Sequence, residues 1–211
     1  MRRLPCDRHD GKQGRGLDLR LPEMISPEEQ ARANLYGLLA RLFYAPPDAA
    51  LLKALAGETL EGELARPWRD VSSTAATADP EAVREEYETA FIGTGKAPVT
   101  LYTTGYSIRY SNETPLANLR GELARLGLGR RADVYEPEDH IAALCDTMRH
   151  LVAEQKAGLE EQRRFFNKWI HPTAGPLCAA IEKNDKTSFY KAVARFAASF
   201  FDMEQSAFEM L

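Results

Sequence analysis

An all-α globule, a single multi-helix bundle, is what the sequence predicts, and three observations lead there. Apolar residues recur at three- and four-residue spacing in segment after segment, the period of a half-buried helix. Helix starts are punctuated by Ser26-Pro27, Asp79-Pro80 and Thr114-Pro115, a capping side chain followed by proline at the first helical position. No segment shows the period-two alternation of a strand.

Taken in order, residues 1–24 carry Gly, Arg, Lys and Asp without an apolar period and read as a flexible tail. Arg2-Arg3 is not followed by the apolar run that an export signal needs, and Cys6 with His9 lacks the second pair that would complete a metal site. Order begins at the capping box Ser26-Pro27-Glu28-Glu29, whose helix carries Leu35, Leu38, Leu39 and Leu42 and stops before Pro46-Pro47. A short helix over 48–56 follows. Residues 60–69 read as a helix interrupted by Pro67, and 71–78 as a polar loop. Pro80 opens a helix with Val83, Tyr87, Ala90 and Phe91 inward and Gly93 at its end. Residues 93–113 form the longest irregular stretch, with Tyr102, Tyr106 and Tyr110 holding it against disorder. Gly93-Thr94-Gly95-Lys96 lacks the spacing of a phosphate loop. Beyond it, Leu116, Leu119, Leu123 and Leu126 mark a helix closed by Gly127, and Arg130-Arg131 a basic link. Residues 167–176 read as a connection, 177–181 as a short helix, and Thr187 onward as a final helix with Phe189, Val193, Phe196, Phe200 and Phe201 inward, packed on the half that holds the central helix.

That central helix is the stretch around which the chain is organised. Tyr135-Glu136-Pro137-Glu138-Asp139-His140 runs into Ile141, Leu144, Cys145, Met148, Leu151 and Val152, one apolar face. Pro137 fits a first helical position, which would place Glu138 and Asp139 in the first turn beside the positive end of the macrodipole. These acids serve either as caps or as a grip for a partner's cation, and both readings stand on the sequence alone. His140 reads as a packed or capping histidine. Asp146 and His150 are two potential metal ligands, too few for a site.

The 211 residues suffice for one domain, 25–211, or two intimate halves meeting near 93–136. A net charge of −4 argues against a nucleic-acid binder, and no window approaches the ~18 apolar residues of a membrane span. The three cysteines, Cys6, Cys145 and Cys178, are odd in number and far apart, which suits reduced thiols in the cytoplasm rather than a disulfide framework. No nucleophile or complete metal set accompanies the acids, so no catalytic residue, metal or cofactor is assigned. The competing reading is a helical enzyme that uses Asp139 and His140 as an acid–base pair.

Glu136-Pro137-x-Asp139-His140 at a helix start resembles the signature of the TorD/DmsD/NarJ family of redox-enzyme maturation chaperones. The likeness extends in order along the chain. Tyr87-x3-Phe91-Ile92-Gly93 resembles the family's Tyr-x-x-Leu-Phe-x-Gly segment, and Leu101-Tyr102-Thr103-Thr104-Gly105-Tyr106 its Tyr-x-Ser/Thr-x-Tyr loop. Residues 116–128 resemble the helix ending in Gly-Leu, and Phe165-Phe166 with Pro172 the later Phe-Phe/Leu…Pro segment. Trp169 stands where the family often has His, and Thr173 where it often has Trp. The resemblance implies a cytoplasmic chaperone of the TorD-like fold, a monomer or homodimer and not an enzyme. It implies binding to the twin-arginine signal peptide, or to the apo catalytic subunit, of a molybdenum or tungsten oxidoreductase, which is held from export until its cofactor is inserted. It also implies a peptide site at Tyr102, Thr104, Tyr106, Glu136, Pro137, Asp139 and His140.

Overall fold

A computed structural model describes residues 25–93, 97–107, 115–130, 136–153 and 157–211. The expected tail, 1–24, lies outside these residues, as do Tyr110, Arg131 and Gly93's neighbours Thr94 to Lys96. Among the described residues, ten α-helices run α1 Pro27–Tyr44, α2 Ala49–Gly57, α3 Ala65–Thr77, α4 Pro80–Tyr87, α5 Thr104–Ser107, α6 Pro115–Arg125, α7 Ile141–Ala153, α8 Leu159–Trp169, α9 His171–Lys183 and α10 Phe189–Glu209. No strand occurs among the described residues, and the only extended pairing is an isolated bridge between Tyr102 and His140. The expectation of an all-α bundle holds.

The core is one continuous cluster in which α7 lies against α1 and α8, and α10 against α9 and α3. Because α10 rests on α3 as well as α9, it joins both ends of the chain rather than only the half containing α7. Its aromatic side chains explain the reach. Phe196 meets Trp68 of α3, Phe200 meets Tyr36 of α1, and Phe208 meets Phe166 of α8, with centroids 4.8–5.5 Å apart.

Three local expectations are corrected. Residues 71–78 are not a loop, since α3 continues through Thr77. Trp68, Val71 and Ala75 form a buried stripe along it, Thr74 returns its hydroxyl to the Asp70 carbonyl at 2.7 Å, and Pro67 falls in the first turn, where no hydrogen bond is lost. Residues 167–176 are helical on both sides of Ile170: α8 runs to Trp169 and α9 begins at His171. Pro176 lies inside α9 on its exposed side, where water can take the freed carbonyl. The central helix begins at Ile141, not Pro137.

Other punctuation acts as its chemistry requires. Ser26 and Glu29 form the reciprocal capping box of α1. Gly127, at φ +72°, closes α6 with Leu128 N–H donating to the Leu123 carbonyl and Gly127 N–H to Ala124, a left-handed cap that glycine adopts without strain.

Candidate functional site

The C-terminal end of α1 is held from outside. Tyr87 donates to the carbonyls of Phe43 (3.1 Å) and Tyr44 (2.9 Å), and Tyr190 to that of Leu42 (3.0 Å). These are orphan carbonyls of a helix end, and buried hydroxyls satisfy them in place of water. Tyr190 is itself fixed at the start of α10, whose Phe189 and Tyr190 N–H groups donate to the Glu86 carboxylate of α4. The result is a rigidly placed Tyr44, 54% exposed at the surface.

Beside it the 101–104 segment is fastened to the start of α7. Ile141 N–H donates to the Leu101 carbonyl, and both the N–H and the hydroxyl of Thr103 donate to the Asp139 carbonyl, all at 2.9–3.0 Å. The Tyr102 ring stands edge-on to His140, with centroids 5.3 Å apart. His140 is the cap of α7: its Nδ1 accepts from Ala142 N–H at 3.2 Å. Burial holds this imidazole below its ordinary pKa, against the pull of Glu136 and Asp139, so the ring is neutral with its proton on Nε2.

The three carboxylates of the signature meet three different fates. Asp139 is 4% exposed, and its Oδ2 accepts from the Thr104 hydroxyl. Glu138 is paired with Arg120 at 3.0 Å and Arg130 at 3.6 Å. Glu136 accepts from the Tyr102 hydroxyl and, among the described residues, has no cation beside it. Partial burial and then Glu136 push the Tyr102 phenol up to about 12, so it stays a donor throughout the physiological range. Asp139 and His140 bond Thr104 and the Ala142 N–H rather than each other.

Two grooves share Tyr44, Glu136 and His140. One, of about 450 Å³, runs between α1 and α7 past Arg41, Arg130, Asp146 and Arg149. The other, of about 680 Å³, is walled by Tyr44, Tyr87, Phe91, Ile92, Leu101 and Tyr102, and Ile92 stands 59% exposed in it. Of the residues that the sequence marks, Tyr102, Glu136 and His140 line the grooves, while Thr104 and Asp139 lie beneath as a pair. Tyr106 lines neither, and its hydroxyl closes the loop on the Thr100 carbonyl at 2.8 Å. Pro137 lines neither groove and accepts from His140 N–H at 3.2 Å through its carbonyl, shaping the turn before α7. Sequence reasoning missed Tyr44 and Ile92. Their signal was an aromatic one residue short of Pro46-Pro47 and an isoleucine beside Gly93, each just past a helix's apolar stripe.

Among the described residues no group of three or more potential metal ligands occurs, and no helix is long and apolar enough to cross a membrane. Cys145 and Cys178 are free and buried. Burial pushes both thiols up, Cys178 to about 12, so neither is poised to react.

The family described as nitrate reductase delta subunit matches residues 57–179. A chaperone protein TorD of Shewanella loihica is 27% identical over 193 residues, covering 81% of this chain and 89% of its own length. TorD chaperones of Aliivibrio salmonicida and Aliivibrio fischeri are 25% and 27% identical over 126 and 129 residues, in each case 54% of this chain and 59% of the relative. The matched part of the chain thus spans a little over half the length of the two Aliivibrio proteins. The family match takes in the turn at Glu136, the Tyr102 segment and α7, and the curated relatives carry the name of a chaperone and not of an enzyme. The chain belongs to the nitrate reductase delta subunit family, that of the TorD-type redox-enzyme maturation chaperones.

Proposed function

We propose that this chain is a cytoplasmic chaperone that binds the twin-arginine signal peptide of a molybdenum or tungsten oxidoreductase and delays its export until the cofactor is inserted. Contact with the apo catalytic subunit extends the same role. The observation that carries the reading is Glu136: among the described residues, a carboxylate with no cation beside it, on the lip of an apolar, tyrosine-walled groove. A twin-arginine signal pairs two guanidiniums with an apolar run, and each half has a counterpart here. Guanidinium meets carboxylate through two parallel hydrogen bonds, and an apolar helix lies down in a groove. The family and its TorD members support a redox-enzyme client.

The acids of the signature divide the labour. Asp139 and Thr104 hold the turn, Glu138 is neutralised by Arg120 and Arg130, and Glu136 receives the incoming arginine. Tyr102 orients that carboxylate through its hydroxyl, and Tyr44 and Ile92 supply apolar area that the peptide covers. Calorimetric titration with a synthetic peptide carrying an Arg-Arg pair before a Leu- and Ala-rich run tests the reading. Binding near micromolar, about −8 kcal/mol, suits a transient proofreading complex. The Gln-Gln version of the peptide binds more weakly and with a flatter salt dependence. Equal binding of the two peptides removes arginine recognition, and the absence of binding removes the signal peptide as the ligand.

A further inference from the structure

The groove between α1 and α7 carries one unmatched charge of each sign. Glu136 has no cation beside it among the described residues. Arg41, three residues before Tyr44 on α1, is exposed and, among the described residues, forms no ion pair. The groove's other acids are matched, Glu138 with Arg130 and Asp146 with Arg149. The remaining lining includes the small or apolar side chains of Ala40, Leu123, Leu128, Ala142 and Ala143. A fitting ligand brings a cation for Glu136, an acid for Arg41 and a short apolar stretch with them. The chain's own beginning has that composition within six residues: Arg2-Arg3-Leu4-Pro5-Cys6-Asp7. Reach agrees. Gly37 of α1 lies against the Arg149 side chain of α7, and Tyr44 shares the groove with His140, so the groove runs back from Glu136 toward the start of α1. The helix has 18 residues, a length of about 27 Å. As a flexible chain, the 22 residues from Arg3 to Met24 have an end-to-end distance of roughly 23–28 Å. Tether length thus matches span, the condition under which a tethered ligand reaches its highest effective concentration.

We propose that residues 2–7 of the chain dock in this groove when no client is bound, with Arg2-Arg3 on Glu136, Leu4-Pro5 over the small apolar lining and Asp7 at Arg41. The segment then occupies the carboxylate that a client arginine needs, and the client displaces it. Arg2-Arg3 is followed by no apolar run, so the segment leaves the groove of Tyr44, Phe91 and Ile92 open and yields to a ligand that fills both. A solvent-exposed arginine–carboxylate contact is weak, which suits a contact that must give way. The docking stands on the groove and the segment alone. Its effect on a client rests on the signal-peptide reading.

Cys6 supplies a native probe thiol for disulfide trapping, because Cys145 and Cys178 are buried. In dilute full-length protein, Thr147→Cys places a second thiol in the groove. Under a glutathione redox buffer this variant forms an intramolecular disulfide with Cys6, read by mass spectrometry after proteolysis. Adding Arg2→Gln with Arg3→Gln, or adding Glu136→Gln, lowers the yield several-fold. The tether is equally long in all three proteins, so equal yields, or no disulfide in any of them, overturn the docking. A calorimetric titration in the native cysteine background gives the second readout. The chain carrying Arg2→Gln and Arg3→Gln binds the synthetic Arg-Arg peptide several-fold more tightly than the native chain does. Equal affinity for a peptide that both chains bind overturns the autoinhibition. No binding by either chain overturns the signal-peptide reading instead, and the trapping yields still decide whether the segment docks.

Discussion

Glu204 and Glu136 lie near opposite ends of the same helix, α1, and are carboxylates of opposite kinds. Glu204 of α10 is 1% exposed. Both of its oxygens take the Arg32 guanidinium, at 2.8 and 2.7 Å, and the Tyr36 hydroxyl adds a third bond at 2.9 Å. Arg32 reaches on to Gln162 of α8 at 3.2 Å, and Gln162 donates to the Ala157 carbonyl at 2.7 Å, so α1, α8 and α10 are tied by one satisfied network. Burial, with Glu204 beside it, pushes the Tyr36 phenol well above its ordinary range. Glu136 has, among the described residues, one tyrosine hydroxyl and no guanidinium. A saturated acid holds a fold together, and an unsaturated one at a groove mouth has capacity left for a partner.

That contrast is most strongly tested at its structural pole. Glu204→Ala leaves the Arg32 guanidinium with only the Gln162 oxygen and the Tyr36 hydroxyl without its acceptor, and destabilises the chain by about 3–5 kcal/mol. At this chain length that lowers the melting temperature by roughly 6–20 °C, read by a circular dichroism melt. Peptide affinity measured well below the new melting temperature is unchanged. A melt that does not move breaks the contrast, because it makes the buried network dispensable.

Glu136→Gln is expected to do the reverse. The amide oxygen still accepts from Tyr102, but the charge is gone, and charge-assisted bonds contribute about 1.5–3 kcal/mol, so affinity for the Arg-Arg peptide falls roughly ten- to a hundredfold. As a surface substitution it shifts stability by no more than about 0.5 kcal/mol. Asp139→Asn sharpens the distinction within the signature itself. The buried Thr104 contact makes Asp139 a fold residue, so this variant costs about 1 kcal/mol of stability and changes peptide affinity less than Glu136→Gln does. If Asp139→Asn weakens peptide binding more than Glu136→Gln, the arginine contact moves from Glu136 to Asp139.

The smallest effect concerns pH. Burial lowers the His140 pKa from 6.5, so the folded state keeps this ring neutral where the unfolded chain would protonate it. Its contribution to stability is therefore complete above pH 6.5 and is lost as pH falls from there toward the folded value. Asn at this position still caps α7 but does not titrate. His140→Asn accordingly shows a shallower decline in melting temperature between about pH 7 and pH 5 than the native chain. Parallel declines would mean that His140 is not what makes the start of α7 sensitive to acid.

The helices, the buried face of α7 and the glycine end of α6 were legible in the sequence because each depends on neighbours three to five residues apart. Spacing alone marked Leu144, Cys145, Met148 and Leu151 as inward, and all four are fully buried. Residues 71–78 and 167–176 misled because local propensity outweighed what α10 and the core do for them. Trp68 and Ala174 are buried by partners far along the chain, and that burial carries Ser, Thr and even Pro176 into helices. The site divides in the same way. The sequence alone determined that Glu136, Glu138, Asp139 and His140 crowd together just before a helix, and that tyrosines occupy a loop some 35 residues earlier. Which acid is buried, which is neutralised and which is left open was decided by Thr104, Arg120, Arg130 and Tyr102, brought to the turn by tertiary structure. A carboxylate's role depends on the donors within about 3 Å of it, and sequence distance does not reveal those donors.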